Sequence, residues 1–291
     1  MLQIGIPFKS VFSRSFALAV GVAGLLFIGP QSGFSAGARI DPASLDSGFC
    51  QMYNLNFQAA HKTFEAWQEV HPEDPLGASS NAAAYLFGEF ERLHILDLDF
   101  FVQDRKLEKA DQLLPDPNVK IAFEGELAKA DGIAARVLAQ SPSDRNALFA
   151  RTFIDGLRGM YAALVEKKKL EALDFLKTSR SNAEKLIAVD STYYDAYLAI
   201  GIENYLLGLR SAPTRWVLRL SGAQTSKEKG IANIKITAEK GSYLAPYARL
   251  LLVIAYLRDR DQKTAKKLLA DLARAFPQNR LYQAELARLR S

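Results

Sequence analysis

Three histidines, one cysteine and scattered carboxylates are the side chains from which chemistry would have to be built. His61 and His71 lie ten residues apart and His94 further on, with no HExxH or CxxC spacing to set two ligands on one helix face. Cys50 has no second cysteine to pair with and reads as a small buried hydrophobe. No G-x-S-x-G, Walker or G-x-G-x-x-G pattern occurs. The most acidic stretch is GEFERLHILDLDFFVQD at 88–104, where Glu89, Glu91, Asp97, Asp99 and Asp104 interleave with Phe90, Leu93, Leu96, Phe100 and Phe101. A carboxylate pair there could act as acid and base, but no other catalytic group is tied to it. The simpler reading is an amphipathic helix followed by the acidic start of another. The chain is therefore expected to be no enzyme and to hold neither metal nor cofactor.

A second stretch, SAPTRWVLRLSGAQTSKEKG at 211–230, sets Arg215 and Arg219 around Trp216, with Arg210 just before. Arginine beside tryptophan is a frequent contact pair at binding surfaces. The stretch reads either as a partner contact or as a structural plug whose arginines pair with acids such as Glu203. Lys167, Lys168 and Lys169 read as a solvated turn between helices.

The elements that must carry these side chains are helical throughout. Val, Ile and Thr recur with helical rather than alternating period. Helices are expected near 78–97, 100–111, 120–140, 144–165, 169–190, 194–208, 226–239, 244–259, 262–275 and 279–289, with a break at LLPDPN. The run VDSTYYDAYLAIGIENYLLGL at 189–209 carries Gly201 in mid-helix, at a cost of about 1 kcal/mol against alanine. Close approach of a second helix would account for it. Segments ending in proline repeat one spacing: Ala60, Phe64, Trp67 and Pro72; Ala130, Ala134, Val137 and Pro142; Ala265, Leu269, Leu272 and Pro277. Ala183, Leu186 and Asp190 follow the same pattern, with Ser191 in the proline's place.

This pattern resembles the tetratricopeptide repeat, a helical hairpin of about 34 residues. Tyr194, Tyr197, Ile200 and Gly201 match its first helix at positions 1, 4, 7 and 8, and the proline-ended segments match its second. The likeness extends to exported bacterial tetratricopeptide proteins carrying YNL-x-F near the first repeat, here Tyr53 to Phe57. It implies an all-α solenoid of degenerate hairpins with insertions, poorest in fit at 88–120 and 209–235, stacked into a superhelix with a concave face. In such repeats positions 2, 5, 9 and 12 of the first helix face that groove. Carried over, they are Asn146, Phe149, Phe153 and Gly156 in one unit and Asp195, Leu198, Ile202 and Tyr205 in another. This lining is apolar for a groove open to water, so partial cover by 88–118 and 209–225 is expected.

Residues 1–38 hold Lys9 and Arg14, no acid, the apolar run Ser15–Gly29 and then Ala36-Gly37-Ala38. A basic start, a short apolar run and a small-residue exit describe a signal peptide, with an uncleaved anchor beside the membrane as the rival. Residues 39–291 then form the repeat domain. Without Lys9 and Arg14 the chain has 35 basic and 32 acidic residues, too even a balance to favour nucleic acid. The expected function is protein or peptide binding in the periplasm or cell envelope. The alternative is a carrier of a small hydrophobic ligand or lipid, and a helical-toroid enzyme acting on envelope polysaccharide through Glu89 or Glu203 comes third.

Overall fold

The computed structural model describes residues 44–98, 101, 114–208 and 226–289. The helices α1 Leu45–Tyr53, α2 Phe57–Val70, α3 Pro75–Arg92, α4 Pro117–Gln140, α5 Arg145–Leu164 and α6 Lys169–Val189 come first. A 3₁₀ turn at Tyr194–Ala196 leads into α7 Tyr197–Gly208, followed by α8 Lys227–Lys240, α9 Ala245–Arg258, α10 Gln262–Ala275 and α11 Arg280–Arg288. Among the described residues there is no strand. The expected helix at 100–111, the 1–38 segment and Arg215, Trp216 and Arg219 lie outside the described residues, apart from Phe101.

The helices pair as α1/α2, α3/α4, α5/α6, α7/α8 and α9/α10, and α11 closes the series. First helices also touch one another, α1 on α3 and α3 on α5, and so form the inner layer of the stack. Boundaries follow local chemistry. Asp74, Asp116, Asp144, Asp261 and Asn279 each cap a following helix by accepting from its first amides, and Pro75 and Pro117 occupy the first turn where no N–H is needed. The helix expected at 78–97 starts earlier because Asp74 and Pro75 start it. It ends earlier because His94 turns left-handed at φ 57° and Ile95 N–H donates back to Phe90 O.

The same closure ends α1 at Leu55 and α9 at Arg260, with Asn56 N–H on Gln51 O and Asp261 N–H on Tyr256 O. Arg260 is exposed and holds φ 64°, where a side chain is strained and glycine is not. Arg260→Gly is expected to raise stability by about 0.5–1 kcal/mol, read as a higher urea midpoint at unchanged slope.

The paired helices touch where small residues were expected. A Cβ built on Gly201 would lie 2.7 Å from Ile234 Cγ1 and 2.9 Å from Ile234 N, and one on Gly230 would lie 2.5 Å from Tyr205 N. One on Gly48 would lie 2.3 Å from the Phe64 ring. Ala60, Ala82, Ala130, Ala183 and Ala265 are all wholly buried.

The junction before α7 is held differently. Asp190 accepts from the hydroxyl and amide of Thr192 and from Arg145 at 2.7 Å, which lowers its carboxyl to about 2. A lowered folded-state value gives stability that is present above the ordinary aspartate value and lost as pH falls through the folded one. Asp190→Asn is therefore expected to flatten the acid limb of the stability curve between pH 3.8 and about 2, measured by urea titration across that range.

Candidate functional site: the concave face

The inner layer brings aromatic rings from three distant parts of the chain together. Phe49 of α1 stacks on Tyr243, just before α9, at 5.0 Å, and lies 6.4 Å from Phe153 of α5. Phe149 stacks on Phe153 at 5.7 Å and meets Tyr193 at 5.0 Å. Below them Phe87 of α3 meets Tyr247 of α9 edge-on at 5.4 Å, and the Tyr247 hydroxyl lies 3.0 Å from Met160 sulfur. Burial pushes the hydroxyls of Tyr53, Tyr247 and Tyr282 well above the ordinary tyrosine value.

This packing decides where the expected groove residues stand. Phe149 is 1% exposed, and Phe153, Asp195, Leu198 and Tyr205 are also buried, while Gly156 and Ile202 are half-buried. These side chains face other parts of their own chain rather than an open channel. Asn146 alone of the eight is exposed, beside an open cavity of about 320 Å³ shared with His71, Asp74 and Asp144. Cover was expected from the insertions. Leu96 and Leu98 of 88–118 contribute to it, and α1 and the start of α9 supply further cover. Residues 209–225 and, Phe101 apart, 99–113 lie outside the described residues. The register rule applied to α1 and α9 places Phe49, Met52, Tyr247 and Leu250 on the concave face, so the signal was present in those helices.

Asp195 has a structural task. Its carboxylate accepts from the amides of Ser242 at 3.0 Å, Tyr243 at 3.3 Å and Leu244 at 2.9 Å. The start of α9 has no capping side chain of its own, and Asp195 supplies one from the preceding hairpin. Gly241 lets it approach: a Cβ there would fall 2.6 Å from Asp195 Oδ1. Burial pushes this carboxyl up, and the three amides offset that only in part.

The remaining buried acids are also engaged. Glu89 takes both arms of Arg92 at 2.7 Å and accepts from Asp116 N–H at 2.8 Å, tying the end of α3 to the start of α4. Glu203, 1% exposed, pairs with Arg180 at 3.1 Å, and burial raises its carboxyl. His61 is 2.6 Å from the Asn81 amide oxygen, and His71 stacks on Trp67. Among the described residues no group of three His, Cys, Asp or Glu side chains is placed to hold a metal ion, and no helix is long and apolar enough to cross a membrane. Cys50 is half-buried, with its thiol pushed up by burial.

The chain matches no family model and no curated relative. Among solved structures it is similar to a thermophilic TPR protein of Thermus thermophilus, at 16% identity and a TM-score of 0.42, over 84% of this chain and 98% of that one. The fold itself rests on the hairpins described above: five consecutive helix pairs, closed by a final helix, make the described residues a tetratricopeptide-like all-α solenoid.

Proposed function

We propose that this chain is an exported, non-catalytic protein-binding solenoid of the cell envelope, whose partner is a protein or peptide. The observation that carries the reading is the repeat architecture, in which the buried carboxylates Glu89, Asp195 and Glu203 each serve an arginine or a row of amides. Acids so engaged hold helices together and leave no matched pair for general acid–base work. The carrier reading drew on Phe149, Phe153, Ile202 and Tyr205 as an open apolar wall. Phe149 and Phe153 are instead packed against Phe49, Tyr193 and Tyr243, and the cavity beside α1 measures about 30 Å³, room for a water or two rather than a lipid. Export is supported by the basic, apolar and small-residue zones of 1–38.

The test uses the full chain in two arms. Expressed in an exporting host, it is expected to leave the cytoplasm with a new N-terminus near Arg39. Immobilised and exposed to envelope extract with chemical cross-linking, it is expected to retain a polypeptide that competes off with soluble chain and disappears when the extract is proteolysed. Retention of nothing in the second arm overturns the binding function, and an unprocessed cytoplasmic chain overturns export.

A further inference from the structure

The solenoid closes on itself, and the closure is unlike its other joints. Consecutive hairpins meet helix against helix, whereas α1 and α3 do not run along α9 or α11. Among the described residues the two ends meet through side chains, with Phe49 on Tyr243, Tyr53 against Phe276 at 5.4 Å and Phe87 against Tyr247. Tyr53 Oη donates to Tyr243 O at 2.9 Å, Asn279 Nδ2 donates to Tyr53 O at 2.8 Å, and Gln278 N–H donates to Asn54 Oδ1 at 3.1 Å. Arg280 pairs with Glu91, and Arg258 donates to Phe101 O at 2.6 Å. The roughly 30 Å³ cavity lies in this seam, walled by Met52 and Tyr53 of α1, Phe87 of α3, Tyr247 of α9 and Tyr282 of α11. Voids forfeit contacts, and an exposed ion pair adds little. The seam thus lacks the helix-against-helix contact of the other joints, being held by rings and hydrogen bonds, and it covers Phe49, Phe153 and Tyr243.

We propose that this seam is a latch: the first and last hairpins part as a unit while the middle hairpins stay folded, and parting uncovers the concave aromatic face. That the uncovered face receives the partner rests on the protein-binding reading above; the latch itself does not. Repeat arrays favour such partial opening because each hairpin is held mainly by its neighbours.

Amide hydrogen exchange on the full chain, read by mass spectrometry without any partner, tests the latch. Asn279→Ser keeps a capping oxygen for Leu281 and Tyr282 but lacks the reach to Tyr53 O. Asn54→Ala removes the acceptor of Gln278 N–H from the other side of the seam. Each variant is expected to speed exchange at least tenfold in both α1 and α11, more than 220 residues apart in sequence, with α5 and α6 unchanged. Acceleration confined to the mutated end, or equal acceleration in every helix, overturns the latch. Neither result bears on partner capture, so the two proposals fail separately.

Discussion

Replacing Gly230 with leucine is expected to cost about 3 kcal/mol or more, a fall in melting temperature of roughly 6–12 °C for a chain of this size. A helical glycine ordinarily invites the opposite result, since alanine gains about 1 kcal/mol in a helix interior. At Gly230 the atoms in the way are backbone: Tyr205 N at 2.5 Å, Tyr205 Cα at 2.8 Å and Gly201 O at 2.9 Å from a built Cβ. A flexible side chain could swing aside, but these atoms move only if α7 and α8 separate along their length. Even Gly230→Ala is therefore expected to destabilise. Gly125 provides the control, because it is exposed on α4 and a Cβ there meets nothing within 4 Å. Gly125→Ala is expected to stabilise by about 0.5–1 kcal/mol. Calorimetry of the two alanine variants should give shifts of opposite sign. Equal signs would mean that the Gly201–Gly230 crossing does not hold this hairpin together.

That crossing also shows what the sequence could reveal. Gly201 announced a close neighbour because a mid-helix glycine needs a reason, and the recurrent small residue in each second helix said where the neighbour would be. Helix ends were legible at Asp144 and before Pro142 and Pro277, whereas Asp74 and Pro75 start α3 ahead of the expected 78 and the chain ends it early at His94. There the chain turns left-handed without glycine, so composition gives no sign. The closure of the ring was harder to see. Register rules say which side chains face inward, but not how far the superhelix curls. Whether Phe49 meets solvent or Tyr243 depends on small angles summed over four hairpin junctions. The rule that placed Phe149 inward was not carried to α1 and α9, where it places Phe49 and Tyr247 inward as well, and it says nothing of rings meeting across the centre.

Asp195 separates the two meanings that an inward-facing acid can have. As a partner contact on the groove wall, it could be removed with loss of binding and no loss of stability. As the cap of α9 it cannot. Asp195→Ala strands three amide donors, and the bond to Leu244 N–H is wholly buried. Hydrogen bonds to a charged group contribute about 1.5–3 kcal/mol each, and an orphaned buried donor costs about as much. Their coupling in one cap makes the sum less than additive, so a net loss of about 4 kcal/mol is expected. Asp195→Asn keeps one acceptor but turns an amide N–H₂ towards another donor, and about half that loss is expected. The loss should be visible locally as well as globally, with exchange accelerating first at Ser242 to Leu244 and then through α9. Because the Tyr243 amide is held by this cap and its ring stacks on Phe49, loosening it should also loosen α1. A variant that melts like the parent protein would return Asp195 to the surface as a contact residue and leave the start of α9 without its anchor.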